Sequence, residues 1–165
     1  MDLNLQGKVI IVSGGAKGIG EGIVRVLAKE GAIPFVVGRN AADNEAVVAS
    51  VEAAGGKAMQ VVAELTEPEA CAAAVAAVLD QCGRIDGLVN NAGVNDGVGL
   101  EKGSYEAFMA SLHRNLVHYY LLAHHALPSG AAVFTKRLAS EANEPFVCPG
   151  GSNEQRATGC RPSDP

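Results

Sequence analysis

The stretch KVIIVSGGAKGIGEGIVRVLAKEG, residues 8–31, decides the fold. It opens with Lys8–Val12, a continuous run of mostly β-branched residues, which is typical of a strand buried on both faces of a parallel sheet. A loop that contains four glycines follows, and apolar residues then recur at helical spacing from Ile19 to Leu27. The stretch therefore predicts a strand, a tight glycine-rich turn and a helix in direct succession.

The same alternation continues along the chain. Short apolar runs predict three further strands, at 33–37, 57–62 and 85–89. The residues TEPE at 66–69 form a capping-box pattern, which predicts that Thr66 caps the helix before the fourth strand. Residues 104–127 fit one long helix that Pro128 ends. Strands that alternate with helices indicate βαβ units and a parallel sheet, hence an α/β fold.

Composition excludes several classes of protein. The 165 residues carry 13 Lys and Arg against 18 Asp and Glu, a formal net charge of −5, and only 4% are aromatic. We expect no nucleic-acid partner for an acidic chain that is poor in aromatic residues. Its length fits one domain. With no signal peptide, no membrane span and four cysteines that lack C-x-x-C spacing, the chain is expected to be cytoplasmic.

The carboxyl-terminal residues differ in composition from the rest. Five of the seven prolines lie from Pro128 onward, and apolar periodicity ends there apart from a brief run at 131–135. We therefore expect an ordered domain over residues 1–128 and an irregular tail over 129–165. The abrupt change suggests a frameshifted reading of a truncated chain, a hypothesis that the two other reading frames after codon 128 would test.

The spacing Gly14-x-x-x-Gly18-x-Gly20 between a strand and a helix indicates a nucleotide site. Glycines there permit a tight turn and a close approach of the backbone to a pyrophosphate, and the amides that begin the helix attract phosphate. The alternative is a glycine-rich turn with a purely structural role.

Two motifs together resemble those of a known family. SGGAKGIG at 13–20 resembles the T-G-x-x-x-G-x-G element of the short-chain dehydrogenases/reductases, with Ser13 in place of threonine. NNAG at 90–93 is similar to the N-N-A-G element of the same family. The resemblance covers residues 3–128, and NNAGVNDGVGL at 90–100 looks most like bacterial L-fucose and related aldose dehydrogenases.

The resemblance implies a fold and an activity. The fold would be a Rossmann-type doubly wound parallel sheet, here truncated to about four strands in the order 3-2-1-4, with the fourth strand as an exposed edge. The activity would be NAD(P)-dependent hydride transfer to or from a sugar or another secondary alcohol. The relatives are homodimers or tetramers, in which the helix that carries Asn115 packs in an interface.

The resemblance also implies roles for individual residues. The three motif glycines would line the pyrophosphate, residues 64–65 would line the adenine, and residues 91–93 would lie beside the adenosine ribose. Asn115 matches the helix asparagine of the family's catalytic tetrad, which lies at a bend in its helix. The predicted cofactor-binding residues are Ser13, Gly14, Lys17, Gly18, Ile19, Gly20, Arg39, Glu64, Leu65, Asn91, Ala92 and Gly93. No metal site is predicted.

The residues after the second strand bear on the choice of cofactor. A carboxylate there would bond the ribose 2′-hydroxyl and select NAD, whereas a basic residue would accept the 2′-phosphate of NADP. The chain has Gly38, Arg39 and Asn40 at this place, with no acid, and Lys17 in the glycine loop adds a second cation. We therefore expect NADP to be preferred over NAD.

The family's proton transfer needs a tyrosine followed four residues later by a lysine. None of the three tyrosines has a lysine at that distance, and the serine that should end a fifth strand is not recognisable. The four histidines fall on the long helix and are interpreted as surface or packing residues. Because the sequence shows no residue that would act as the general acid, the alternative to a dehydrogenase is a non-catalytic dinucleotide-binding module or an inactive fragment.

Overall fold

The computed structural model describes residues 3–135. Its strands are β1 (Val9–Ser13), β2 (Ile33–Gly38), β3 (Met59–Val62), β4 (Gly87–Asn90) and β5 (Ala132–Thr135). Its α-helices are α1 (Gly18–Lys29), α2 (Ala41–Ala53), α3 (Pro68–Cys82), α4 (Tyr105–Leu112) and α5 (His118–Ala126). A π-helical turn, His113–Val117, joins α4 to α5, and a 3₁₀ turn, Leu127–Ser129, follows α5.

The strands form one parallel sheet in the order β3-β2-β1-β4-β5. The parallel sheet and the order 3-2-1-4 are therefore confirmed, but the limit of about four strands and the exposed edge at β4 are wrong. Strand β5 pairs with β4 from Gly87 opposite Ala132 to Asn90 opposite Thr135. A four-residue strand with Ala and Thr at its ends gives a weak periodic signal, and it follows Pro128 and Gly130 closely.

The proposed division of the chain at residue 128 remains a prediction. Strand β5 lies beyond that residue, so the sheet continues into the segment that was expected to be irregular. Residues 136–165, which make up most of the expected tail, lie outside the described residues.

Helices cover both faces of the sheet. On one face Phe35 and Leu88 pack with Leu122 of α5 and with residues of α3 in one buried cluster. On the other face Val12 and Val36 pack with Val24 of α1 and with residues of α2. Every residue of β1 is buried, as expected for a central strand between two helical layers.

The start of α3 differs from the prediction. The helix begins at Pro68, its N-cap is Glu67, and that residue makes no side-chain cap bond. The Thr66 hydroxyl instead donates to Glu64 Oε1 at 3.1 Å. Proline at the first helical position suits a helix start, so the N-cap lies one residue later than the capping-box pattern predicts.

The predicted long helix is interrupted. The bend implied at Asn115 is a π-helical turn, within which Asn115 is the third residue. Such turns often occur at functional sites. All strands are parallel, so their carboxyl ends meet at one edge of the sheet, where the loops after β1, β2, β3 and β4 converge. None of the helices in residues 3–135 is long and apolar enough to cross a membrane.

Candidate functional site

A groove of about 570 Å³ lies at the carboxyl edge of the sheet. It is formed by the loops after β1, β2, β3 and β4, together with residues of α1, α2, the π-helical turn and α5. Its volume is within the usual range for small-molecule sites. Ten of the predicted residues line it: Gly14, Lys17, Ile19, Gly20, Arg39, Glu64, Leu65, Asn91, Ala92 and Gly93.

Ser13, Gly18 and Asn115 are not among the residues that line the groove. Ser13 is fully buried, and its hydroxyl oxygen accepts from the Asn91 and Ala92 amides at 3.0 and 3.1 Å. It also donates to a backbone carbonyl of β4 at 3.3 Å. Ser13 thus fixes the loop after β4 against the end of β1, and its contribution to the site is one of positioning.

The glycine loop is packed too closely for larger residues. A Cβ on Gly14, whose φ is +65°, would lie 2.8 Å from the Ala92 Cα, and one on Gly20 would lie 2.1 Å from the Gly14 carbonyl oxygen. The side-chain amide of Asn91 donates from Nδ2 to the backbone carbonyls of Ser13 and Gly14, both at 3.1 Å. The two motifs found in the sequence therefore meet and form one wall of the groove.

The amino terminus of α1 leaves donors available to a ligand. Lys17 is the N-cap residue, has extended backbone angles and makes no side-chain cap bond. The first amides of a helix have no intrahelical acceptor, and they carry the positive end of the helix dipole. Because Ile19 and Gly20 of this first turn line the groove, the arrangement fits a phosphate group.

The charged residues at the groove correct one premise of the cofactor argument. Lys17 Nζ lies 2.6 Å from Asp43 Oδ2, and Arg39 Nη1 lies 3.6 Å from Glu64 Oε2. Both cations therefore have carboxylate partners, although no acid directly follows β2. The sequence did not show this because Asp43 lies in the first turn of α2 and Glu64 follows β3.

Asn44 is a groove residue that the sequence reasoning missed. Its side chain is fully buried and donates to the Gly38 carbonyl at 3.1 Å, while its Oδ1 has no partner among the described residues. This amide holds the end of β2 against the start of α2. The available signal was an asparagine on the apolar stripe of α2, three residues before Val47.

His118 packs below the loop after β4. It is buried, its Nε2 lies 3.3 Å from the Ala92 carbonyl oxygen, and the Tyr119 hydroxyl donates to the same oxygen at 2.8 Å. Burial lowers the pKa of the His118 imidazole and raises the pKa of the Tyr119 phenol. Both side chains support the backbone of the groove, in agreement with the packing role expected for His118.

Asn115 connects the π-helical turn to the loop after β4. Its Oδ1 accepts from the Val94 amide at 2.7 Å, and its Nδ2 donates to the Ser111 carbonyl at 3.1 Å. Beside it, Asp96 accepts from Arg114 at 2.8 Å and from the Ser111 hydroxyl at 3.1 Å. In residues 3–135 no three His, Cys, Asp or Glu side chains are grouped to hold a metal ion.

Comparison with known proteins identifies the family. A model of the short chain dehydrogenase family matches residues 8–148, which extends beyond residue 128, where the resemblance found in the motifs ends. A 7alpha-hydroxysteroid dehydrogenase of Clostridium sardiniense is 37% identical over 127 residues, 75% of this chain and 48% of the relative. An uncharacterized oxidoreductase of Methylorubrum extorquens is 41% identical over 105 residues, 63% of this chain and 42% of the relative.

A solved structure shows the same fold. A metagenomic short-chain oxidoreductase in complex with NADP is 34% identical, with a TM-score of 0.73 over 79% of this chain and 62% of that one. The chain spans about half the length of the two curated relatives above. The family match, these relatives and the shared sheet agree, and the chain belongs to the short-chain dehydrogenase family.

Proposed function

We propose that this chain binds a nicotinamide dinucleotide in the groove at the carboxyl edge of the sheet, with NADP preferred over NAD. The observation that carries the proposal is the uncapped amino terminus of α1, whose first turn lines the groove beside Gly14 and Asn91. Free helix amides and a close backbone approach are what a pyrophosphate requires.

The described residues divide the proposed site into three parts. Gly14, Gly18 and Gly20 provide the phosphate loop. Glu64 and Leu65 line the adenine end, and the loop 91–93 lies beside the adenosine ribose. When bound, the dinucleotide supplies or accepts a hydride at its nicotinamide ring. Asn115 acts on this site through the Val94 amide, which keeps the loop after β4 in place.

NADP is preferred in this proposal because two cations stand at the groove. Lys17 and Arg39 both line it, and their side chains are 74% and 73% exposed, so each can reorient toward a 2′-phosphate. Guanidinium and ammonium groups are the usual partners of phosphate in proteins. The related structure in complex with NADP agrees with this choice.

The proposed reaction is that of a short-chain dehydrogenase acting on a sugar, such as L-fucose, or another secondary alcohol. The groove residues described above serve cofactor binding, and the 165 residues contain no tyrosine with a lysine four residues later. The absence of this pair favours the second candidate function, a non-catalytic dinucleotide-binding module or an inactive fragment, over the dehydrogenase reaction. In that case the chain as given binds the dinucleotide without turning substrate over.

Two assays separate these possibilities. Titration with NADPH, followed by nicotinamide fluorescence, is expected to saturate, and NADH is expected to bind more weakly. A turnover assay with NADP and L-fucose is expected to show no product. Saturation without turnover supports a binding module, turnover shows that another group supplies the acid, and no binding of either dinucleotide contradicts the proposed function.

The proposed partner is a second copy of the chain, and the proposed compartment is the cytoplasm. Several large apolar side chains of α4 and the following turns are exposed, among them Phe108 and Leu116, which is what an interface between copies would cover. The compartment is proposed because the chain has only four cysteines, none with C-x-x-C spacing, as is usual for reduced thiols.

A further inference from the structure

We infer that Asp43 is a specificity-determining residue that weakens the binding of NADP relative to NAD. The inference rests on the proposed dinucleotide site and identifies a residue that opposes its preference for NADP. Its starting point is the ion pair between Asp43 and Lys17, in which Oδ2 and Nζ are 2.6 Å apart at the groove.

The position of Asp43 is fixed by the start of α2. The Asn40 side chain caps this helix by accepting from the Asp43 amide at 3.1 Å. Asp43 lies in the first turn, where a carboxylate is stabilised by the helix dipole, and its side chain is 30% exposed. Lys17 is the more exposed partner, at 74%, so a change of partner is assigned to the lysine and the carboxylate stays at the groove.

The charges at the groove show how Asp43 distinguishes the two cofactors. Lys17 and Arg39 oppose Asp43 and Glu64, so the formal charges of these two pairs cancel. A 2′-phosphate that takes Lys17 leaves Asp43 unpaired beside a new negative charge, which opposes binding. NAD carries a hydroxyl at this place and leaves the ion pair intact. Asp43 therefore affects the affinity for NADP and leaves that for NAD nearly unchanged.

Glu64 is less suited to the same role. Its distance to Arg39 is 3.6 Å, and its side chain is more exposed, at 44%. The Glu64 carboxylate also accepts from the amide and the hydroxyl of Thr66, at 3.3 and 3.1 Å. Arg39 can leave Glu64 without leaving that carboxylate unpartnered, whereas among residues 3–135 the Asp43 carboxylate pairs with Lys17 alone.

The test compares Asp43→Asn with Glu45→Gln in titrations with NADPH and NADH. Glu45 is an exposed residue of the same helix that does not line the groove, so its variant makes the same change in net charge away from the site. Asp43→Asn is expected to raise the affinity for NADPH by about threefold to tenfold, as for one partly exposed charge. Its affinity for NADH, and both affinities of Glu45→Gln, should stay within about twofold of the parent chain.

A second variant tests whether the effect passes through Lys17. In a Lys17→Ala background, Asp43→Asn should lose only the part of its gain that comes from releasing Lys17, and it should keep the part that comes from removing the repulsion between the carboxylate and the 2′-phosphate. Thermal unfolding of each variant without ligand checks that the fold is kept. An unchanged ratio of NADPH to NADH affinity in folded Asp43→Asn, or weaker NADPH binding, would overturn the inference while the proposed function stands. If the parent chain binds neither dinucleotide, both are overturned.

Discussion

Gly20 and Gly22 lie two residues apart in α1, yet a methyl group has opposite consequences at the two positions. At Gly20 a Cβ would overlap the Gly14 carbonyl oxygen, whereas at Gly22 it meets nothing within 4 Å. We expect Gly20→Ala to abolish NADPH binding, because the loop must open to accept the methyl group. Gly22→Ala should instead raise the free energy of unfolding by about 0.5–1 kcal/mol, since alanine is the better helix former.

Titration calorimetry and urea unfolding of both glycine variants measure these effects. Gly22→Ala should bind NADPH like the parent chain, which makes it the matched control. Normal binding by Gly20→Ala would show that the close packing of this loop is not required.

His118 makes stability depend on pH. Burial lowers the pKa of the imidazole, although its bond to Ala92 and the charge of Glu64 act in the opposite direction. In the unfolded chain the imidazole therefore takes up a proton near pH 6.5, the ordinary value for histidine. In the folded chain it takes up that proton only at lower pH. The free energy of unfolding should thus decrease as the pH falls below about 6.5.

Urea unfolding at neutral and at mildly acidic pH measures this dependence. His118→Gln, which retains a donor for the Ala92 carbonyl, should reduce the loss of stability on acidification. The matched control is His124→Gln on the exposed side of α5, which should keep the loss of the parent chain. An equal loss in both variants would assign the effect to other groups.

At the scale of residues, the sequence predicted which residues line the groove better than it predicted how the charged residues pair there. Glycine spacing and the NNAG element identified most of the lining, because backbone contact leaves a pattern of residue types. The ion pair of Lys17 with Asp43 and the buried amide of Asn44 left no comparable pattern. Each depends on how α2 lies against the glycine loop, which is a tertiary contact rather than a local one.

Among the elements, the loop after β4 depends on the π-helical turn for its position. The hydrogen bond from Arg114 holds the pKa of the Asp96 carboxyl below its ordinary value, and the hydrogen bond from the Ser111 hydroxyl adds a smaller effect in the same direction. The stabilisation is thus present above the ordinary carboxyl pKa and is lost as the pH falls through the lowered one. We expect Asp96→Asn to lower the protection factors of the Val94 and Gly97 amides at neutral pH, and acidification below about pH 4 to lower them in the parent chain, each measured against the intrinsic exchange rate at the same pH.

Hydrogen exchange followed by NMR resolves these amides. Asn115→Ala should have the larger effect, because it removes the acceptor of the Val94 amide itself, at an expected cost of about 1–2 kcal/mol. Glu101→Gln, at an exposed position of the same loop, is the control and should leave the exchange unchanged. Unchanged exchange in both Asp96→Asn and Asn115→Ala would mean that the loop is held from elsewhere.

An element could be predicted from the sequence when its own residues determine its structure. It could not be predicted when contacts with other elements determine it. Strands β1, β2 and β4 are apolar runs that must be buried on both faces, so composition alone marks them. Strand β5 is ordered by pairing with β4, and the Ala132 amide also donates to the carbonyl of Asp86, which directly precedes β4, at 3.0 Å. The π-helical turn has neither Pro nor Gly in its residues 113–117, and only the family resemblance indicated a bend there.

For the whole molecule, β5 covers the edge of β4, and much of the exposed apolar surface lies on the helices that follow β4. Among residues 3–135 the exposed large apolar side chains include six of the bent helix that α4, the π-helical turn and α5 form: Tyr105, Phe108, Met109, Leu116, Val117 and Tyr120. Exposed apolar surface of this kind favours association. We therefore expect the chain to form dimers whose interface includes this helix, so that a charge placed there favours the monomer.

Sedimentation velocity of Phe108→Glu and Leu116→Glu measures this, and both variants should shift the distribution toward monomer. Val26→Glu is the matched control: Val26 is 57% exposed on α1, close to the 53% and 54% of Phe108 and Leu116. It adds the same charge on another helix and should leave the distribution as in the parent chain.

A parent chain that stays monomeric at all concentrations would mean that this face is covered within one molecule, whereas equal shifts in all three variants would indicate a general effect of charge. Association through the helix predicts that only the first two variants dissociate, because only there must the added carboxylate be desolvated against a second copy.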